Sequence, residues 1–337
     1  MISAPSARVP ANATYGCGPV ALKINFTDSW LGEALHGLLS QYDAPWGNPV
    51  LVIQATIGRG PLPPEAKEPT GAYFRSWLLR VERQGGSLIS LSKSGVWLKY
   101  DSATCEAVVV VPHGSDEPSI VEETEQQLIL LLARGWAQAG WTPLHAGSLL
   151  PPGENRCVLL CAPSGVGKTT LIAAALRRGW RTLGDDKTLL QTGKDGLIAR
   201  ALARRFHLHP SSSRWFSELG DFGKFPHYSR WTDKRVVPIA SAWPDRLMDS
   251  AIPAGVIQLQ RIESGLEVEP MDPMKTLHTL LRQVAIPSDA EYARPLVACI
   301  GAVAAAVKAA TVKIGQGAYD DPALVGRLEK TLWELLT

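Results

Sequence analysis

Apolar residues in the first third of the chain fall in short alternating or continuous runs, at 20–26, 49–57, 87–91, 96–100 and 107–111, separated by turn clusters such as Gly58-Arg59-Gly60-Pro61. Runs of that length and period predict strands, because successive side chains alternate between the two faces of a sheet. One stretch, 29–39, has helical spacing instead, so residues 1–117 read as a small α+β domain suited to substrate recognition. A polar joint, His113-Gly114-Ser115-Asp116-Glu117-Pro118, follows, and beyond it the pattern changes. Ser119 and Glu122 have capping-box spacing and predict a helix through the apolar residues 128–132 to Gly140. Strand-like runs at 144–150 and 156–161, joined by the turn-forming 151–155, predict a hairpin. A helix starts at Lys168 and stops at Gly179, and 187–190 reads as another strand. The apolar run 255–259 predicts a buried strand. Asp272 and Pro273 have the order of an N-cap and a first helical residue, opening a helix through 277–281 with His278 on its surface. Leu324, Leu328, Leu332 and Leu335 make a stripe on a final helix, the spacing of a face that docks on a core. Strands and helices thus alternate over 118–337, which predicts an α/β domain.

The turn between the 156–161 strand and the helix at Lys168 carries the most specific chemistry. Pro163, Ser164, Gly165, Val166, Gly167, Lys168, Thr169 and Thr170 have the form of a phosphate-binding loop between a strand and a helix. Small residues there let backbone N–H groups curl around phosphate oxygens at a helix N-terminus, where the helix dipole favours negative charge. Lys168 would reach the β and γ phosphates, and the Thr169 hydroxyl would ligate Mg²⁺. Ala162 stands where the pattern has its first Gly, which costs little if the backbone stays at negative φ. Asp185 and Asp186 follow one helix later, near the end of the predicted 187–190 strand. One carboxylate can hold Mg²⁺ and the other can accept the proton of an attacking hydroxyl. Neighbours on a strand point to opposite faces, so the pair shares a site only where the strand ends or bulges. His145, just before the loop strand, is by itself the kind of histidine that packs at a sheet edge; the company of the loop and the paired carboxylates makes it a site candidate.

Taken in order, Leu-His-Ala at 144, Ser-Gly-Val-Gly-Lys-Thr at 164, Arg-Arg-Gly-Trp-Arg at 177 and Asp-Asp at 185 resemble the C-terminal catalytic domain of HPr kinase/phosphorylase and its relatives. The resemblance covers 144–190 and implies a P-loop kinase domain related to phosphoenolpyruvate carboxykinase. It implies transfer of the γ-phosphoryl of ATP, with Mg²⁺, to the serine of a peptide or protein, as in lasso-peptide precursor kinases. His145 would match the family's active-site histidine, Lys168 and Thr169 its nucleotide and Mg²⁺ ligands, and Asp185 its catalytic base, with Asp186 assisting the metal. The family's downstream glycine-rich signature, with its metal-binding Glu and its Arg, is missing. Leu-Ala-Arg-Arg-Phe-His-Leu-His-Pro occupies 202–210 instead. The residues for a kinase step are therefore present, while those that mark the HPr substrate and the reverse phosphorolytic reaction are not.

Composition changes this picture little. At 337 residues with 45% apolar content the chain can bury a large core and is long enough for two domains. A net charge of +2 gives no field for nucleic acid or membrane. Five cysteines without zinc spacing read as reduced thiols, and the N-terminus lacks an apolar signal core, so a cytoplasmic enzyme is expected. Between 197 and 235 eight Arg or Lys face three carboxylates, interleaved with Trp215, Phe216, Phe222, Phe225, Tyr228 and Trp231. That stretch reads as a long mobile loop over the site, in which Arg204, Arg205, Lys234 and Arg235 would meet substrate or phosphate and the aromatics would grip the acceptor. Three acceptor readings stay open: a serine in a peptide or protein, a free small molecule, or no acceptor, as in a nucleotide-binding regulatory module. Neither ATP against GTP nor the contacts of a homo-oligomer is legible.

Overall fold

The structure is a computed structural model and describes residues 11–42, 44, 46–64, 66, 79–84, 87–114, 117–163, 165–194, 196–229, 232–284, 286, 290–315, 317 and 322–336. It is a mixed α/β protein that divides into two compact units, residues 1–140 with 286–294 and residues 141–285 with 295–337. No helix among the described residues is long and apolar enough to cross a membrane.

The first unit is built from β1 (Asn12–Cys17), β2 (Val20–Phe26), α1 (Ser29–Leu39), β3 (Leu51–Arg59), β4 (Leu79–Gln84), β5 (Ser87–Ser92), β6 (Trp97–Asp101), β7 (Glu106–Val111) and α2 (Glu117–Gln138). Its strands form one seven-stranded sheet in the order β1-β2-β3-β7-β6-β5-β4, parallel at β2/β3 and β3/β7 and antiparallel elsewhere. The sequence pattern predicts neither β1 nor β4. In β1 only Tyr15 and Cys17 are buried, among small and polar residues that carry no apolar run. Helix α2 differs from the expectation in two ways. It begins at Glu117, so Ser119 lies inside its first turn rather than before it. It also packs with the first unit, against α1, β2, β3, β6 and β7, so the boundary read at 117 from composition falls at 140 in the fold. Two long-range contacts hold α2 there: Trp136 Nε1 donates to the Cys17 carbonyl at 2.8 Å, and the buried Glu123 accepts from Ser92 and from Ser94 N at 2.9 Å.

The second unit starts with β8 (Thr142–Leu144), β9 (Ala146–Leu149), β10 (Arg156–Cys161) and α3 (Lys168–Arg177). After these come β11 (Thr188–Gly193), β12 (Gly196–Ala201), β13 (Arg205–Leu208), α4 (Pro210–Ser213), β14 (His227–Ser229), β15 (Thr232–Pro238) and α5 (Ile239–Ala242). The chain closes with β16 (Ile252–Ile262), β17 (Leu266–Pro270), α6 (Pro273–Leu281), α7 (Ala290–Ala306), β18 (Lys308–Gly315) and α8 (Pro322–Leu336). A five-stranded sheet in the order β17-β18-β16-β10-β9 is its centre, with β10, β16 and β18 mutually parallel. Burial of β10 on both faces from Cys157 to Cys161 accounts for its continuous apolar run. Burial also pushes the Cys157 and Cys161 thiols up to about 12, so they are unreactive packing groups. The predicted hairpin is β9 against β10. Helix α6 has the expected cap, with Asp272 accepting from Lys275 N at 2.8 Å. On α8, Leu328, Leu332 and Leu335 are buried against the sheet, as the stripe predicts, while the side chain of Leu324 lies outside the described residues.

Where a long loop is expected over 197–235, the described residues, 197–229 and 232–235, form strands and short helices. Its ends are β12 and β15, and β13-β15-β14 form a small antiparallel sheet. Phe216 and Phe225 are buried in the same apolar cluster as α3 and the central sheet and serve the core, with Trp215 and Phe222 partly buried against it. Trp231 lies outside the described residues.

Close approach fixes the backbone just before the paired carboxylates. A Cβ on Gly184 would sit 2.2 Å from the Ala203 carbonyl oxygen and 2.8 Å from Ala201 Cβ. Gly184→Ala is expected to lower stability by about 1–3 kcal/mol, because the neighbour is backbone and cannot step aside. Thermal unfolding should show a Tm drop of several degrees, on the scale of about 2–4 °C per kcal/mol.

Candidate active site

Strand β10 ends at Cys161 and α3 begins at Lys168, and the turn between them depends on glycine at two positions. Gly165 has φ 81° and Gly167, the N-cap of α3, has φ 112°, both in the left-handed region that side chains disfavour. Ala162 is buried and, among the described residues, is not one with positive φ, which is why an alanine suffices there. Ser164 lies outside the described residues. Pro163, Gly165, Val166, Gly167, Lys168, Thr169 and Thr170 all face one cleft of about 360 Å³, within the roughly 300–1,000 Å³ of small-molecule sites. The cleft lies at the carboxyl ends of parallel strands, also bordered by Arg261 near the end of β16 and Gly315 at the end of β18, where open α/β sheets bind ligands.

Lys168 is 6% exposed and its ammonium is paired with Asp186 Oδ1. His145, in the break between β8 and β9, has Nε2 3.3 Å from Lys168 Nζ and 3.5 Å from Asp186 Oδ1. An ammonium only donates, so the first contact needs Nε2 as an acceptor, whereas the second needs it as a donor. Which of the two contacts Nε2 makes is therefore set by the tautomer of the ring. Thr169 Oγ1 donates to Asp185 Oδ2 at 2.5 Å, and Asp186 N donates to Asp185 Oδ1 at 2.9 Å.

Both carboxylates reach this cluster because they precede β11 in an irregular turn. The pair is expected to share a site only where the strand ends or bulges, and β11 begins only at Thr188; Asp186 has φ 64°, a left-handed conformation that Asp tolerates better than most residues. A hydroxyl network fixes the turn: Thr182 Oγ1 donates to the Ser148 carbonyl at 2.7 Å, Leu183 N to Ser148 Oγ at 2.9 Å and Thr188 Oγ1 to the Ala146 carbonyl at 2.8 Å. Strand β9 thereby holds the acidic turn against the loop strand. The two carboxyls differ electrostatically. Asp185 is 2% exposed, and its burial, helped by the Asp186 charge, raises its pKa to about 6 against the opposing pull of Lys168 and Thr169. Burial also opposes ionisation of Asp186, but hydrogen bonds to His145 and Lys168 and the Lys168 charge outweigh it and hold this carboxyl well below the usual range.

The four basic residues expected near substrate separate. Lys234 borders the cleft. Arg204 is ion-paired with Asp249, and Arg235 Nη1 donates to the Phe225 carbonyl at 2.7 Å, bracing the turn before β14. Arg205, at the start of β13, is not among the residues that line the cleft. Three lining groups escape sequence reasoning: Arg261, His207 and His209. His207 packs on Tyr228 with ring centroids 4.1 Å apart, its buried Nε2 has no hydrogen-bond partner among the described residues, and burial pushes its pKa down to about 4. Its place in the short β13, between buried Phe206 and Leu208, was the only signal, and the surrounding charges conceal it.

No protein-family model matches the chain, and no curated protein does. Among solved structures the chain is similar to the Hpr(Ser) kinase/phosphatase from Coxiella burnetii, with 10% identity over 57% of this chain and 92% of that one and a TM-score of 0.31.

Proposed function

We propose that this protein is a kinase that transfers the γ-phosphoryl group of ATP to a hydroxyl, with the serine of a peptide or protein as acceptor. The observation that carries the reading is the meeting of Lys168, Thr169, Asp185 and Asp186 at the start of α3, beneath a glycine turn that opens on a cleft. The N–H groups around Gly165 and Gly167, with Lys168, would take the phosphate oxygens, and the end of the helix dipole would favour their charge. On nucleotide binding Lys168 exchanges Asp186 for phosphate. Asp185 would orient the acceptor hydroxyl and take its proton as the oxygen–phosphorus bond forms and the bond to the ADP oxygen breaks. Its raised pKa suits a base working near neutral pH. His145 and Lys234 border the cleft and would meet phosphoryl oxygens or the acceptor.

Mg²⁺ fits the donors present. Thr169 and Asp186 offer oxygen ligands, and no cluster of three or more His, Cys, Asp or Glu among the described residues forms a dedicated cage. That is the donor set of an ion that arrives with its nucleotide, since Mg²⁺ usually takes one or two carboxylates plus substrate phosphates. When bound, it would neutralise charge on the β- and γ-oxygens.

One observation favours the opposite division of labour between the carboxylates. Asp186 faces the cleft with its side chain 37% exposed, whereas Asp185 is buried against Thr169. Asp186 would then meet the acceptor and Asp185 would steady the metal through Thr169.

Incubation of the protein with γ-labelled ATP, Mg²⁺ and a heat-treated host lysate split by size, or buffer alone, tests the acceptor. Label is expected in polypeptide. Label in the small fraction would make it a small-molecule kinase, and phosphate release or no turnover would make it a nucleotide-binding regulatory module.

A further inference from the structure

We infer that Trp215 is the wall on which the purine base of the bound nucleotide stacks, so that the cleft is divided into a phosphate end at the glycine loop and a nucleoside end beside α4. The inference rests on the reading of the loop as a triphosphate site.

Trp215 borders the same cleft as the loop, together with Val166, Ser211 and Ser212. Val166 and Trp215 both pack against the apolar core, so this stretch of wall is apolar and backed by fixed structure. The backbone of Trp215 is pinned: Arg177 Nη1 donates to its carbonyl at 2.7 Å while Arg177 Nε holds Glu218 at 2.7 Å, and Trp215 N donates to the Ser212 carbonyl at 3.3 Å. The Arg214 guanidinium lies 4.6 Å from the ring centroid, which braces the indole further. Arg177 ends α3 and Lys168 begins it, so the anchor is about 13 Å along the helix from the phosphate end.

The chemistry of the two ends differs in the same sense. Charged groups of the lining come from the start of α3, the acidic turn, β15 and β16, namely Lys168, Asp186, Lys234 and Arg261. Around α4 the lining is Trp215 with Ser211, Ser212 and His209, whose Nδ1 lies 2.9 Å from Ser211 Oγ. A flat, uncharged π-system suits that end, because every base presents a face that an aromatic side chain can stack on.

Equilibrium binding of ATP and of tripolyphosphate to the full chain, by calorimetry with Mg²⁺, tests this. The wild type is expected to bind ATP more tightly than tripolyphosphate. Trp215→Ala and the bulk-preserving Trp215→Leu should weaken ATP by about ten- to a hundredfold, the scale of one base–aromatic stack. Tripolyphosphate affinity should stay within about twofold in both, and Trp215→Tyr should keep most of the ATP affinity. Equal weakening of both ligands would overturn the inference and make Trp215 a brace of the loop; unchanged ATP affinity in the Leu variant would overturn it too. A wild type that binds the two ligands equally would overturn the stacking role alone, whereas a wild type that binds neither would overturn the triphosphate reading with it.

Discussion

Asp185→Asn is expected to cut phosphoryl transfer by about 10²–10⁴-fold, the range of a positioned general base, while nucleotide affinity changes by no more than about threefold. The amide keeps the shape and can still meet Thr169 Oγ1 and Asp186 N, so the turn and the loop remain in place. What it loses is the capacity to take a proton. The same carboxyl gives the pH dependence its sign. Burial first, and the Asp186 charge second, raise it to about 6, so its basic form, and with it the rate, grows as pH rises through about 6. That acid limb should vanish in the variant. Linkage acts in the other direction on stability: a carboxyl raised in the folded state contributes most below its unfolded value, near 3.8, and the contribution is lost as pH rises through about 6. Kinetics over pH 5–8, with Asp186→Asn run beside it, decide the division of labour. If Asp186 steadies the metal, its variant needs more Mg²⁺ for half-maximal rate; a fully active Asp185→Asn enzyme would exchange the two roles.

Lys168→Ala should behave differently, removing transfer and weakening nucleotide binding together. An ammonium against phosphate oxygens makes charge-assisted hydrogen bonds worth about 1.5–3 kcal/mol, or roughly ten- to 150-fold in affinity. The substitution also strips Asp186 of the ammonium it pairs with. Its carboxyl should then move back up toward the ordinary range, since burial is the cause that remains in that direction. Titration calorimetry with ATP, set beside turnover, separates this pattern from that of Asp185→Asn: the lysine variant fails at binding, the aspartate variant after it.

The parts of this fold that were legible in the sequence are those specified by neighbours along the chain. The strand at 156–161, the two left-handed glycines and the helix start at Lys168 are local requirements, and the structure meets each one. Asp272 before Pro273 is likewise a short-range cap. What strand alternation could not reveal is a single dihedral, φ 64° at Asp186, in the turn that sets one carboxyl on Lys168 and the other on Thr169. Helix α2 was legible as a helix but not in its allegiance, because Trp136 finds Cys17 across 119 residues. Strands β13 and β15 escaped because their buried residues, Phe206, Leu208, Val236 and Val237, are too few between charged neighbours to show a period. For the same reason the candidate site was legible where it is contiguous and not where it is assembled. His145, Lys168 and the acidic pair follow one another in the chain, whereas Arg261 arrives through the register of β16 beside β10.

That parallel register has a consequence for how the molecule can change. The three strands β10, β16 and β18 all run toward the cleft, which gives the sheet a working end and an idle end. The turn at 151–155 sits at the idle end, before Arg156, with Pro152, Gly153, Glu154 and Asn155 exposed. The acidic turn at 182–188 is clamped to β9 at both of its ends, so its length is as fixed as a bond in a ring. Even one added residue in the second would therefore uncouple Asp186 from the lysine it pairs with, while the first can take insertions at its exposed tip, Pro152 and Gly153, since the Pro151 and Glu154 carbonyls accept from Arg181 and that of Asn155 from Ile252 N.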